Sequence, residues 1–194
     1  MLQNRLKTFK VVLLGDAGVG KSSIVMRYVN NEFYDMQEST IGAAFFTKIH
    51  SIDNNNNISL QIWDTAGQER YQSLAPMYYR DSQLILIVFD VTCRYSFVRA
   101  NAMLLETTER CGNSLICLIG NKCDVMNREI SDSEIHDYVR TKNILYFGTS
   151  AKTGAGVSEM FDHLSIELYE NCEEKNDRRV NLNIQNPPEK NCFS

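Results

Sequence analysis

The sequence predicts an α/β fold: a six-stranded, mostly parallel sheet with one antiparallel edge strand and helices on both faces. Two observations predict it. Short apolar segments alternate along the chain with amphipathic segments, which is the pattern of a parallel sheet covered by helices. Residues 43–63 instead contain two β-rich segments joined by a short polar run, which is typical of an antiparallel hairpin.

The predicted parallel strands are short and apolar on both faces. Such segments lie at Phe9–Leu14, Leu84–Phe89 and Leu115–Ile119, with a weaker fourth candidate at Ile144–Phe147. The predicted helices lie between them and after the last, at residues 21–30, 95–111, 132–142 and 157–170. In the last helix the apolar residues recur at helical spacing, and we expect them to pack against the sheet.

The hairpin is indicated by the run Asp53-Asn54-Asn55-Asn56-Asn57 between the two β-rich segments. Asn and Asp tolerate left-handed backbone and are common in tight turns. We therefore expect a loop tip at this run and an antiparallel strand at one edge of the sheet.

Composition excludes several classes of protein. The chain has 194 residues, 43% of them hydrophobic, and a formal net charge of −4, which argues against binding to nucleic-acid polymers. Its six cysteines contain no C-x-x-C pair and only three histidines accompany them, so a structural zinc site is not expected. No apolar run is long enough to span a membrane.

The chain is predicted to form one domain, residues 1–171, followed by a tail at residues 172–194. The tail has no glycine, no helical periodicity of apolar residues and a Pro187-Pro188 pair. Its four basic and four acidic residues cancel. We expect it to be flexible.

The segment Gly15-Asp16-Ala17-Gly18-Val19-Gly20-Lys21-Ser22 fits the pattern G-x-x-x-x-G-K-[ST] between a predicted strand and a predicted helix. In this context the glycines let backbone N–H groups point at phosphate oxygens, and the helix N-terminus adds positive potential. Lys21 is expected to reach the β- and γ-phosphates, and Ser22 to bind Mg²⁺. The pattern predicts a nucleoside triphosphate site but does not select the base.

The segment Asn121-Lys122-Cys123-Asp124 follows a buried strand and predicts a preference for guanine. The Asp124 carboxylate can accept hydrogen bonds from N1–H and the 2-amino group of guanine, and adenine lacks both donors. Against adenine the carboxylate would stay unpaired, at a cost of several kcal/mol.

These two elements, together with Trp63-Asp64-Thr65-Ala66-Gly67-Gln68-Glu69-Arg70 and Ser150-Ala151-Lys152, resemble those of the Ras-superfamily small GTPases. The run W-D-T-A-G-Q-E-R is typical of the Rab branch. The stretches Glu38–Phe45 and Ser73–Arg80 resemble the early-endosomal Rabs. The resemblance covers about residues 8–171 and implies the P-loop small GTPase fold.

The resemblance implies two ligand sets. The residues that it places around GTP or GDP are Asp16, Ala17, Gly18, Val19, Gly20, Lys21, Ser22, Ser23, Phe33, Thr40, Gly67, Asn121, Lys122, Asp124, Ser150, Ala151 and Lys152. The residues that it places around Mg²⁺ are Ser22, Thr40 and, through water, Asp64. Among these, Phe33 is expected to pack on the guanine, Ala151 N–H to bind guanine O6, and the Lys122 stem to cover the ring.

Gln68 is the expected catalytic residue, because it would orient the attacking water behind the γ-phosphate. The segment Asn31–Ile41 contains no Arg or Lys that could stabilise the transition state from within the chain. We therefore expect slow hydrolysis, accelerated roughly 10³–10⁵-fold by an arginine from a GTPase-activating protein. Arg70 lies nearby in the sequence but is expected to have a surface role.

The implied biology is that of a Rab switch on the cytosolic face of endosomal membranes. Its partners would be an exchange factor, a GTPase-activating protein and effectors, with the chain itself a monomer. Phe45, Trp63 and Tyr78 would contact effectors, or else form a small satellite of the core. Asp81-Ser82 replaces the usual Gly-Ala, and Cys192 is either a prenylation site or a plain exposed thiol.

Two other functions compete with this one. A P-loop ATPase or nucleotide kinase would need an arginine-rich lid and a base pocket without Asp124, and the sequence shows neither. A non-cycling scaffold that keeps GTP as a structural cofactor is the alternative, although Gln68 is intact.

Overall fold

A computed structural model describes the backbone of residues 6–185 and the side chains of residues 6–174. It contains one sheet of six strands in the order β2-β3-β1-β4-β5-β6. The strands are β1 (Lys7–Gly15), β2 (Ala43–Ser51), β3 (Asn57–Thr65), β4 (Leu84–Asp90), β5 (Leu115–Asn121) and β6 (Leu145–Gly148). All neighbouring pairs are parallel except β2–β3, which confirms the predicted sheet.

Within residues 6–185, five α-helices cover the sheet. They are α1 (Lys21–Asn30), α2 (Ala75–Tyr79), α3 (Arg94–Arg110), α4 (Asp132–Lys142) and α5 (Val157–Gln185). A 3₁₀ helix over Glu69–Leu74 leads into α2. The sequence did not predict these two short helices, because neither is long enough to show a 3.6-residue apolar period.

Strands β1, β4 and β5 are largely buried on both faces, and the core has two layers, one on each face of the sheet. The whole of β4 is buried, and its Leu86 and Ile87 side chains belong to opposite layers. One layer lies under α1 and α5, where Phe161 is fully buried and stacks on Tyr28 with ring centroids 3.7 Å apart. The other lies under α3 and α4. Parallel strands bring their carboxyl ends to one edge of the sheet, and this edge carries the site.

The predicted turn in the hairpin is confirmed. The Asp53 carboxylate accepts hydrogen bonds from the backbone N–H groups of Asn55 and Asn56, both at 2.8 Å. These bonds close the loop between β2 and β3 and hold the pair in register from Ala43–Thr65 to Ser51–Asn57.

Helix α5 continues to Gln185, so the expectation that it ends at residue 170 is wrong. Residues 172–185 lose the apolar stripe but contain no glycine or proline, and the first helix-breaking residues are Pro187 and Pro188. A helix already held by a packed first half can propagate through such polar residues. Near its midpoint α5 is tied to the start of β1, where Lys7 pairs with Glu173 and lies over the Tyr169 ring.

The remaining features of the fold are the character of its helices, the state of its cysteines and the backbone of Asp81. Within residues 6–185 no helix is long and apolar enough to cross a membrane. The cysteines among the described residues form no disulfide bonds with one another. Asp81 adopts a left-handed backbone with φ of 58°, a conformation that favours glycine. Cys192 lies outside the described residues.

Candidate functional site

A cleft of about 440 Å³ opens at the carboxyl edge of the sheet, a volume within the range of small-molecule sites. It is lined by segments that follow β1, β3, β5 and β6, together with the chain between α1 and β2. The lining residues are Ala17, Gly18, Gly20, Lys21, Ser22, Ser23, Phe33, Tyr34, Asp35, Gln37, Glu38, Ser39, Thr40, Thr65, Gly67, Gln68, Asn121, Lys122, Asp124, Val125, Ala151 and Lys152.

The glycine-rich loop connects β1 directly to the first turn of α1. Gly20 caps the helix with φ of 96°, and a Cβ there would lie 2.3 Å from Asn121 Nδ2. Only glycine allows both the backbone conformation and this close approach. The loop is thereby pressed against the end of β5, which joins the predicted phosphate end of the cleft to its predicted base end.

Lys21 lies inside this loop rather than in solvent. Its Nζ donates to the carbonyl oxygens of Gly15 and Asp16, at 2.9 and 2.8 Å. Burial lowers the pKa of the Lys21 ammonium to about 8, although the carboxylates of Asp64 and Asp16 act in the opposite direction. A buried cation held by carbonyls at the mouth of a loop is well placed for an anionic ligand.

Three oxygen-bearing side chains from three different segments meet beside Lys21. Ser22 Oγ donates to Asp64 Oδ2 at 2.5 Å and lies 2.9 Å from Thr40 Oγ1, and Thr40 Oγ1 donates to the same carboxylate oxygen at 3.3 Å. Burial raises the pKa of the Asp64 carboxyl, against the opposing hydrogen bond from Ser22 and charge of Lys21.

This cluster fits a hard divalent cation. Asp64 Oδ1 is buried without a hydrogen-bond partner, so one carboxylate oxygen is left for a further positive or donating group. Two hydroxyls and a carboxylate are oxygen ligands of the kind that Mg²⁺ prefers. Within residues 6–174 no group of three or more His, Cys, Asp or Glu side chains is placed to hold a metal ion.

The segment after β3 closes over the glycine-rich loop. A Cβ on Gly67 would lie 2.4 Å from the backbone oxygen of Asp16 and 2.5 Å from Lys21 Nζ, so a larger residue cannot approach this closely. The next residue, Gln68, lines the cleft, and its Oε1 accepts a hydrogen bond from Arg70 Nε at 2.8 Å. Arg70 therefore positions the Gln68 side chain in this conformation.

The other end of the cleft is a compact polar network. Asn121 Nδ2 donates to the carbonyl of Val19 at 2.9 Å, and Asn121 Oδ1 accepts from Ala151 N–H at 3.2 Å. Ser150 Oγ donates to Asp124 Oδ1 at 2.6 Å. Asn121, a buried side chain, thus connects the glycine-rich loop to the loop after β6.

Lys122 follows Asn121 in a left-handed conformation with φ of 66°. Its Nζ forms an ion pair with Asp90 Oδ2 at 2.6 Å. This pair extends the Lys122 side chain along the cleft wall, with its charge fixed at the end of β4.

The cleft is lined by most of the residues that were predicted to bind the nucleotide. Four residues of the two predicted ligand sets do not line it. Asp16, Val19, Asp64 and Ser150 contribute backbone groups or side chains from behind the cleft wall. Sequence reasoning also missed lining residues, namely Tyr34, Asp35, Gln37, Glu38, Ser39, Thr65 and Val125. Five of these lie between the predicted residues Phe33 and Thr40. Because both ends of that segment were predicted to reach the nucleotide, the sequence could have indicated that the residues between them also line the cleft.

The three residues predicted to contact effectors lie together on the outer face of β2, β3 and α2. The Phe45 and Trp63 ring centroids are 5.1 Å apart, and those of Trp63 and Tyr78 are 6.0 Å apart. Phe45 is half exposed, and Trp63 also packs against the core layer under α3. The cluster is therefore both a satellite of the core and a partly open surface.

Comparison with known proteins decides the family. The model of the Ras family matches residues 10–170. The chain belongs to the Ras family. This GTPase is 45% identical to the GTP-binding protein ypt5 of Schizosaccharomyces pombe over 162 residues, which are 82% of this chain and 77% of the relative. It is 41% identical to the Ras-related protein Rab5A of Oryza sativa subsp. japonica over 169 residues, 86% of this chain and 83% of the relative.

These similarities confirm the predicted class. The chain is a Rab-type small GTPase of endosomal trafficking, which hydrolyses GTP to GDP and phosphate. The competing interpretation as a non-cycling scaffold is not favoured. The fold described above is that of the P-loop GTPases, with the cleft at the edge where its glycine-rich loop follows β1.

Proposed function

We propose that the cleft binds GTP and GDP with the phosphates on the glycine-rich loop and the guanine against the loops after β5 and β6. The observation that carries this proposal is the pairing of a buried Lys21 at one end with Asp124 at the other. Lys21 would exchange its two carbonyl partners for β- and γ-phosphate oxygens. Asp124 would accept the guanine N1–H and 2-amino donors.

Further contacts to the base and phosphates would come from the remaining predicted residues. Phe33 and the stem of Lys122 would cover the guanine, and Ala151 N–H would donate to O6. The backbone N–H groups of the glycine-rich loop would donate to phosphate oxygens, with the N-terminus of α1 adding positive potential. The support is that Phe33, Lys122 and Ala151 line one cleft.

Ser22, Thr40 and, through water, Asp64 would hold Mg²⁺. When bound, the ion neutralises charge on the β- and γ-phosphates. The support is the convergence of these three side chains and the unpartnered buried oxygen of Asp64. Thr40 comes from the segment before β2, so its contact also draws that segment over the cleft.

Gln68 would orient the attacking water, and the chain would hydrolyse GTP slowly by itself. The described segment Asn31–Ile41 contributes no Arg or Lys to the cleft. Arg70 is engaged with Gln68 Oε1 in this structure, and its proposed role is to hold that side chain. A GTPase-activating protein would supply the arginine that stabilises charge at the leaving oxygens.

Hydrolysis would release two segments. Thr40 and Gly67 would be tethered to the γ-phosphate in the GTP state and freed in the GDP state. Effectors would read the ordered state through Phe45, Trp63 and Tyr78, and an exchange factor would reload GTP. These partners are those of Rab-type GTPases, and the chain would act as a monomer.

The site of action would be the cytosolic face of endosomal membranes. We place the boundary of the nucleotide-binding domain at residue 171 and assign residues 172–194 to membrane attachment. Cys192 would carry a prenyl group, and because a single lipid chain binds membranes only marginally, a second contact would be needed. Mass spectrometry of the native C-terminal peptide tests this: a peptide of unmodified mass refutes prenylation.

Nucleotide content of the purified protein tests the central proposal. Chromatography of the denatured protein is expected to release one GDP or GTP per chain. Removal of Mg²⁺ with EDTA should speed the release of nucleotide, and Asp64→Asn should remove that dependence. A chain that carries no nucleotide and binds neither GDP nor GTP would refute the proposal. The variant Asp137→Asn is the control, since Asp137 is an exposed carboxylate paired only with Arg140.

A further inference from the structure

Arg27 on α1 makes an unusual set of hydrogen bonds to the loop after β6. Its Nε donates to the carbonyl of Ala151 at 2.9 Å, and one terminal nitrogen donates to the carbonyl of Lys152 at 2.8 Å. The other terminal nitrogen donates to the carbonyl of Asn31 at 3.0 Å. A planar guanidinium presents its N–H donors in a fixed fork, so it can hold carbonyls from two segments in one defined geometry.

These bonds fix the backbone of Ala151 from both sides. Its N–H faces the cleft side and is held by Asn121 Oδ1 at 3.2 Å, and its carbonyl points the other way to Arg27. Arg27 itself is not among the residues that line the cleft. It can therefore affect a bound base only through the orientation of this loop.

The loop has other internal bonds, but none of them joins it to α1. Gly154 N–H donates to the carbonyl of Ser150 at 2.8 Å, and Ser150 N–H donates to the carbonyl of Ala155 at 2.9 Å. These bonds shape the turn without setting its distance from the glycine-rich loop. Asn121 already links the two loops through Val19 and Ala151, and Arg27 adds a second link on the other side of Ala151, from the helix whose first residues are Lys21 and Ser22.

Arg27 also has little freedom to move. A Cβ on Gly154 would lie 3.6 Å from Arg27 Cδ, so the turn packs along the arginine side chain. Arg27 lies six positions after Lys21, which is about 9 Å along the helix axis. Besides the link through Asn121, one short helical segment and one guanidinium thus join the phosphate end of the cleft to its base end.

We infer that Arg27 is a positioning residue that orients Ala151 N–H for the O6 atom of guanine, and so slows nucleotide release and sharpens recognition of the base. This inference rests on the proposed binding of guanine nucleotides in the cleft. Arg27 acts through Ala151 and does not touch the nucleotide.

The test compares GDP with 6-thio-GDP in the wild type, Arg27→Ala and Arg27→Lys. The thio analogue keeps N1–H and the 2-amino group and weakens only the acceptor at position 6. Dissociation of each nucleotide is measured by displacement with excess GTP at constant Mg²⁺. Arg140→Ala is the matched control, because Arg140 is exposed and pairs only with Asp137 on its own helix.

Arg27→Ala is expected to release GDP about tenfold faster, on the order of one lost hydrogen bond to a charged donor. Its preference for GDP over 6-thio-GDP should shrink severalfold, since a misaligned N–H gains less from a strong acceptor. The release rate and the nucleotide preference of Arg27→Lys should lie between those of the wild type and Arg27→Ala. Arg140→Ala should match the wild type in both.

Two results would overturn the inference. One is an unchanged rate of GDP release in both Arg27 variants. The other is faster release of both nucleotides with the wild-type preference retained, which would show that Arg27 supports only general stability. If Arg27→Ala does not fold, Arg27→Lys decides by the same two readouts. A wild-type protein that binds neither nucleotide would refute the proposed function, which is a separate outcome.

Discussion

Replacing Asp124 with asparagine tests the assignment of the base-reading carboxylate. In the structure Ser150 Oγ donates to Asp124 Oδ1 at 2.6 Å, and Asp124 lines the cleft. The carboxylate would present acceptors to two guanine donors, N1–H and the 2-amino group. The substituted amide side chain would offer one acceptor and one N–H₂ donor in the same place.

The magnitude follows from the bonds that change. One hydrogen bond to a charged acceptor is lost, which is worth about 1.5–3 kcal/mol. The amide N–H₂ then faces the 2-amino group as an unpaired donor, at a further cost of about 1–3 kcal/mol. A total of about 3–5 kcal/mol lowers the affinity for GDP by roughly 10²–10⁴-fold. Xanthosine diphosphate carries a carbonyl at position 2, so its affinity should rise.

Competition between fluorescent GDP and xanthosine diphosphate measures both changes in one assay. Asp137→Asn provides the control for removal of an exposed carboxylate. The reasoning is refuted if Asp124→Asn keeps the wild-type preference for GDP over xanthosine diphosphate. If Asp124→Asn binds neither nucleotide and melts at a lower temperature, Ser150→Ala is measured in the same assay. That variant keeps the Asp124 carboxylate and should retain the preference for guanine.

Three further changes test other parts of the site and fold. Gln68→Leu should slow single-turnover phosphate release from bound GTP while the affinity for GTP stays within a few-fold, and equal turnover would remove Gln68 from the mechanism. Gly67→Ala should lower the affinity for GTP relative to that for GDP by tenfold or more in equilibrium titration, because its Cβ would lie 2.4 Å from the backbone of Asp16. An unchanged ratio of the two affinities would show that Gly67 need not approach the γ-phosphate. Phe161→Ala should lower the free energy of urea unfolding by about 3–5 kcal/mol, since the ring is fully buried, and a loss below about 1 kcal/mol would contradict the described packing.

The features that sequence predicted well are those encoded within one short segment. The glycine-rich loop carries its turn, its cation and its hydroxyl in eight consecutive residues, and the pattern has one structural meaning when it joins a strand to a helix. Likewise, β4 is apolar at nearly every position, so its burial on both faces follows from composition alone.

Contacts between distant segments were much harder to derive. Resemblance to a family placed Ser22, Thr40 and Asp64 together, but no spacing rule does so. The bond from Arg27 to Ala151 joins residues 124 positions apart and leaves no local pattern. An arginine on the polar side of a short helix is ordinarily a solvated residue, so only the fold reveals its partner.

The end of α5 differs from its predicted position for a physical reason. Apolar periodicity is lost after Tyr169, yet periodicity reports burial and not helical conformation. The chain stays helical to Gln185 because no breaker intervenes. The short 3₁₀ helix and α2 were not predicted because they show no repeating apolar pattern. They are positioned instead by Pro76 and by the packing of Tyr79.

The length and direction of α5 determine how the molecule would stand on a surface. The helix starts beside the base end of the cleft and passes the opposite edge of the sheet at Glu173, where it meets Lys7 at the start of β1. Residues 172–185 then form a rod of about 21 Å rather than a loose tether. For the proposed lipid at Cys192, this rod would add about 21 Å of helix between the domain and the attachment segment, which leaves room for an activator or an exchange factor at the cleft.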